Sequence, residues 1–113
     1  MSPRTVLPLP ATSFHILLAL VDGPAHGYGI KHVVEERTDG RIRLAAGTLY
    51  EAMQRLSRQG LVENAERPDD FSGSGRVRFY RITDNGEIEL GDELRRLEQD
   101  VAFARTKLPA EQG

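Results

Sequence analysis

The chain has no cysteine and no tryptophan, and aromatic residues make up only 6% of its 113 positions. Without thiols there is no disulfide framework, thiolate zinc site, iron–sulfur cluster or cysteine nucleophile. The longest unbroken apolar run, residues 16–21, is six residues long, far short of the ~20 that a bilayer-crossing helix needs. Pro8 and Pro10 break the segment after Arg4, which argues against a secretory leader. No phosphate-cradling glycine motif is present, and Gly73-Ser74-Gly75 reads as a loop because no strand–turn–helix surrounds it. His15, His26 and His32 have no metal-ligand spacing among them. Neither a catalytic constellation, a metal nor a cofactor is expected. The length leaves room for one domain, and a cytoplasmic, non-enzymatic protein is the expectation.

Charge is also scarce in total, at −2, but it is unevenly placed. Residues 26–82 hold ten Lys/Arg against eight Asp/Glu, whereas residues 83–113 hold four against eight. Thirteen of the fifteen cations are arginine, the side chain suited to bidentate contact with phosphate and guanine. A GC-rich genome produces the same bias, so composition alone does not decide the partner.

Residues 1–9 read as a loose arm. A helix is expected from about Pro10 to Ser13 onward, with Thr12 or Ser13 as cap and Phe14, Leu17, Leu18 and Val21 as its apolar face, ending at Gly23-Pro24. A second helix runs from His26-Gly27, with His26 as a cap or turn residue, to about Arg37 and stops at Thr38-Asp39-Gly40. Residues 41–44 alternate charged and apolar side chains, which predicts a very short strand. A third helix spans 46–59, closed by Gly60, with Leu49, Met53 and Leu56 facing inward. Residues 61–66 and 76–82 are expected to be strands joined by a flexible nine-residue loop, 67–75. Thr83 caps a final helix, although Gly86 stands where a capping box would place a glutamate. From Leu90 a heptad seam follows: Leu90, Leu94, Leu97, Val101, Ala104 and Leu108. The predicted fold is mainly α (α+β), a winged helix-turn-helix over 10–82 with an appended long C-terminal dimerisation helix over 83–108 and a frayed tail at 109–113.

The third helix has the two faces that a major-groove reader needs. Opposite its apolar side lie Thr48, Gln54, Arg55 and Arg58, with Tyr50 at the boundary. Arg76 and Arg78 share one face of the strand after the glycine-rich loop, as in a wing along the DNA backbone, while Asp69 and Asp70 keep the loop tip itself away from phosphate. A solvated amphipathic helix and a solubilising strand face remain the plain alternatives. The leucine seam is longer than so small a domain can cover, which predicts pairing with a second copy and two reading helices set about one DNA turn apart, ~34 Å; packing of the seam on the first helix of the same chain is the plain alternative.

Three segments carry a family resemblance. Residues 23–30 (GPAHGYGI), residues 47–56 with Gln59-Gly60-Leu61-Val62 (GTLYEAMQRL…QGLV) and residues 78–83 with Gly86 (RFYRIT) resemble the corresponding motifs of PadR-like transcriptional regulators. The short tail is similar to the subgroup with a single C-terminal helix. The resemblance implies a homodimeric repressor of a palindromic operator in double-stranded DNA, released by a small-molecule effector, commonly aromatic, bound near the dimer interface. It adds Tyr28 and Lys31 to Thr48, Tyr50, Arg55, Arg76 and Arg78 as DNA contacts. Phe79 and Gln54 stand where the family often has Tyr and Lys. Thr48 and Gln54 are then expected to read bases, Tyr50, Lys31 and Arg58 to hold the backbone, and Arg55 to do either. Phe14, Val101 and Phe103 are the candidates for an effector pocket between subunits. The alternative is a winged-helix module that binds another protein and no DNA.

Overall fold

Pro10 opens the first helix, α1 (Ala11–Ala19), because its fixed φ suits a helix start and its missing N–H is one that the first turn leaves unbonded. No side chain caps this end; Ser13, expected as a cap, is instead buried with Ile16, Leu17 and Leu20. The buried stripe is therefore shifted by one position from that expected, and Val21 is exposed beyond the end of the helix. The computed structural model describes residues 9–73, 75 and 77–109. Apart from Leu9, the arm expected at 1–9 lies outside the described residues, as do residues 110–113 of the tail.

The remaining elements are β1 (Ala25–His26), α2 (Gly27–Arg37), α3 (Ala46–Arg58), β2 (Val62–Ala65), β3 (Phe79–Ile82) and α4 (Asp84–Lys107). The strands form an antiparallel sheet in the order β1-β3-β2. Residues 41–44 are not a strand. Thr38 takes up their donors: its carbonyl accepts from the Arg41 N–H at 3.0 Å and its hydroxyl oxygen from the Ile42 N–H at 3.1 Å. Ala25 and His26 supply the sheet edge in their place, opposite Tyr80 and Phe79. The second long strand is also shorter than expected, beginning at Phe79.

The core joins α1, α2 and α3 through Ile16, Leu17, Leu20, Ile30, Val34, Leu49 and Leu56 and closes against Val62 and Leu90. Each junction has its own chemical stop. Gly60, at φ +75°, ends α3 in the left-handed conformation, with the Leu61 N–H bonded to the Leu56 carbonyl. Thr83 caps α4 by accepting from the Gly86 N–H at 3.0 Å, and its hydroxyl donates to the Gly60 carbonyl at 2.6 Å. Gly86 is needed because a Cβ there would overlap the Leu61 carbonyl oxygen. The glutamate that would complete a capping box is thus excluded by close packing of α4 on the strand start.

Candidate nucleic-acid interface

The sequence of α3 sorts its residues by angle. At about 100° per residue, Leu49, Ala52, Met53 and Leu56 point into the core and are buried. Tyr50, Gln54 and Arg58 fall on the flank turned toward the sheet, where they line a depression of about 320 Å³ together with Ser57, Asn64 and Arg78. Thr48 and Arg55 are exposed on the opposite flank. The expected reading face is therefore split: Gln54 and Arg58 are brought to the wing side, and Thr48 and Arg55 are not.

A larger cleft of about 670 Å³ lies beside it, between the start of α2, the start of α3 and the strand after the wing. Tyr28, Lys31, Tyr50 and Arg78 share its rim, over a floor that includes Leu49, Met53 and Tyr80. Tyr28 is 76% exposed and Tyr50 55%, so both hydroxyls are open to solvent. No carboxylate lines this cleft among the described residues. Within the same set, none of Lys31, Arg55, Arg58 and Arg78 makes an ion pair, whereas Arg81 is held by Glu63 at 2.6 Å. Arg76, the other expected wing cation, lies outside the described residues.

His26 is the N-cap of α2, its Nδ1 accepting from the Gly29 N–H at 3.0 Å. Its ring also belongs to a cluster that sequence spacing does not reveal: it stands edge-on to Phe71 at 5.4 Å and to Phe79 at 5.3 Å, and Phe71 meets Phe79 at 5.1 Å. Phe71 comes from the middle of the wing loop, so α2 and the wing meet through these rings. Its one legible signal is being the single aromatic residue in a loop of small and charged ones.

The helix expected to join two copies divides in its own way. Leu90, read as part of the interface seam, is 4% exposed and belongs to the protomer's own core. Leu94, Leu97, Val101 and Leu108 are exposed, and Ala104 is half-buried. Of the proposed effector residues, Phe14 packs against the core, while Val101 and Phe103 lie exposed on the distal part of α4.

Residues 16–92 match the PadR-like family of transcriptional regulators. The chain belongs to that family. It is 34% identical over 90 residues to the transcriptional regulator Rv3488 of Mycobacterium tuberculosis, across 79% of this chain and 78% of that one. Its backbone is similar to a PadR-like regulator from Bacillus cereus, with a TM-score of 0.72 and 18% identity over 88% of this chain and 92% of that one. It is also similar to Bacillus subtilis PadR solved in complex with operator DNA, with a TM-score of 0.65 and 21% identity. That alignment covers 92% of this chain and 52% of the Bacillus subtilis protein. The two structural likenesses establish a shared winged-helix fold, and the family assignment makes this PadR-like chain a transcriptional regulator rather than an enzyme.

Proposed function

We propose that this PadR-like regulator is a homodimeric, sequence-specific repressor that grips a palindromic operator through α3, the start of α2 and the wing. The observation that carries the reading is the cleft in which Tyr28, Lys31, Tyr50 and Arg78 converge with no carboxylate among its described lining residues. Two tyrosine hydroxyls and two unpaired cations fit phosphate oxygens, and Gln54 on the adjoining flank fits a base edge. The same fold is seen in complex with operator DNA in Bacillus subtilis PadR, which supports DNA as the partner. Two-fold symmetry would come from the exposed seam Leu94, Leu97 and Val101 of α4, which a second copy would cover. In this reading a small aromatic effector, of the kind the family resemblance implies, sits between subunits beside Phe14, Val101 and Phe103 and shifts the spacing of the two halves.

The test is duplex binding over a range of salt. The wild-type chain should bind random duplex weakly at low salt and lose it steeply as salt rises, and a sequence selected from a random pool should be palindromic. Replacing Arg76 and Arg78 with Ala should weaken binding across all sequences and lower the salt slope by roughly one unit for each phosphate no longer neutralised. Unchanged affinity and slope in that double variant would remove the wing from the interface. A protein-binding module would show no duplex binding at any salt. Titrating aromatic compounds against the bound operator tests the effector.

A further inference from the structure

We infer that Phe71 is the residue that positions the wing for DNA, acting through a clasp with Arg67, Gly73 and His26. The inference rests on the DNA-binding reading above and adds to it residues outside the tyrosine and cation rim. Thirteen residues separate β2 from β3, and a hairpin loop of that length, rich in Gly and Ser, carries a large ordering entropy unless something holds it.

Phe71 supplies the hold from both sides. Its ring meets the rings of His26 and Phe79 edge-on, at 5.4 and 5.1 Å. The Arg67 guanidinium lies 4.8 Å from the same ring's centroid, and Arg67 also donates to the carbonyls of Gly73 and Gly75. One arginine therefore holds both the Phe71 ring and the backbone beyond it. Gly73 has to be glycine for this to close, because a Cβ there would overlap the Phe71 ring.

The clasp ties the wing to the start of α2 through His26 and to the sheet through Phe79. His26, its anchor, caps the helix that presents Tyr28 and Lys31. Phe71 itself forms part of the wall of the cleft that those two residues share with Arg78. The ring thereby sets the distance between the α2 cation and the wing cation, the spacing across which a phosphate backbone would run. If the clasp opens, Arg78 stays in the chain but leaves its place.

The experiment compares Phe71→Ala, Phe71→Tyr and Gly73→Ala in the full chain, using a random 20-base-pair duplex. Phe71→Ala should weaken duplex binding about tenfold at low salt and lower the salt slope by roughly one unit. Its Tm should stay within about 3 °C of wild type, since the half-buried ring is not part of the main hydrophobic cluster. Phe71→Tyr should restore affinity and slope, and Gly73→Ala should reproduce the loss by expelling the ring. In the free protein, the Gly75 and Arg78 amides should show faster local motion by ¹⁵N relaxation in Phe71→Ala and Gly73→Ala, and wild-type values in Phe71→Tyr. Wild-type binding and slope in Phe71→Ala would overturn the positioning role alone. So would a loss of affinity that tracks a falling Tm at constant slope, the mark of a merely structural residue. A wild-type chain that ignores duplex altogether would overturn the interface reading, and this role with it.

Discussion

The two halves of α4 carry one continuous leucine spacing and meet opposite fates. In the proximal half, Gly86, Leu90 and Glu93 are buried against α1 and the sheet. In the distal half, Leu97 is 39% exposed, Val101 50% and Leu108 66%. A helix of 24 residues is about 36 Å long, and the winged domain is used up at Glu93, the last buried residue of the helix. An apolar spacing thus states only that a face is apolar, not that the chain covers it. How much of that face the chain covers itself is set by the size of the body it lies on.

The difference can be broken most forcefully at Leu90. Leu90→Ala should destabilise the folded protomer by about 3 kcal/mol, with a loss that does not depend on protein concentration. Leu97→Ala combined with Val101→Ala should change the stability of the dilute chain by less than about 0.5 kcal/mol per site, yet weaken self-association at least about tenfold in sedimentation. Denaturant midpoints recorded over a wide concentration range separate the two. If the Leu90 variant showed the concentration dependence and the distal pair the loss of protomer stability, the division of α4 would be misplaced.

This division marks a boundary of what the residues disclose before any fold is seen. The ends of α2, α3 and α4 are legible, because His26, Gly60 and Thr83 act on backbone groups within a few residues of themselves. The two faces of α3 and the tyrosine and cation rim follow from periodicity and family resemblance, and the cleft brings four of those residues together. The strand expected at 41–44 does not form, because alternation does not reveal that Thr38 has already taken the Arg41 and Ile42 donors. The clasp at Phe71 is hidden for a related reason: its partners, His26 and Phe79, are distant in sequence and meet only once β1 pairs with β3. Gly86 reads as a defect in a cap and is a packing requirement.

A smaller effect is expected at Glu93, the last buried residue of the proximal half. Its carboxylate accepts from the Arg96 guanidinium at 2.7 Å and from the Leu9 N–H at 3.1 Å, tying the chain before α1 to α4. The Arg96 hydrogen bond first, and the Leu9 N–H second, hold this carboxyl below the ordinary 4.5. Because the folded value lies below the unfolded one, the stabilisation is complete above about pH 4.5 and is lost as pH falls through the folded value. Glu93→Gln keeps the shape and removes the charge, so it should cost about 1–2 kcal/mol at pH 7. Below pH 4.5 its stability should decline less steeply than that of wild type. Superimposable acid limbs for the two proteins would show that Glu93 is not the group responsible.

The smallest expected effect sharpens the comparison through pH alone. His15 lies on α1, the helix that supports proximal α4, with its ring edge-on to Phe14 at 5.3 Å. Burial, and secondarily the Arg37 guanidinium, hold its pKa below the ordinary 6.5. The unfolded chain therefore binds a proton at a pH where the folded chain does not. Stability is full above about pH 6.5 and declines as pH falls from there toward the folded value, the reverse of a histidine that gains an acidic partner. His15→Gln should flatten the stability profile between pH 6.5 and the onset of carboxylate titration. The exposed Arg37 is screened by salt, so Arg37→Gln should shift the His15 titration upward by less than burial lowers it. Neither variant should alter self-association through Leu97 and Val101, since no histidine lies on α4. A pH dependence of stability that survives His15→Gln intact, or one that appears in the sedimentation behaviour instead, would move the titrating group away from the proximal body.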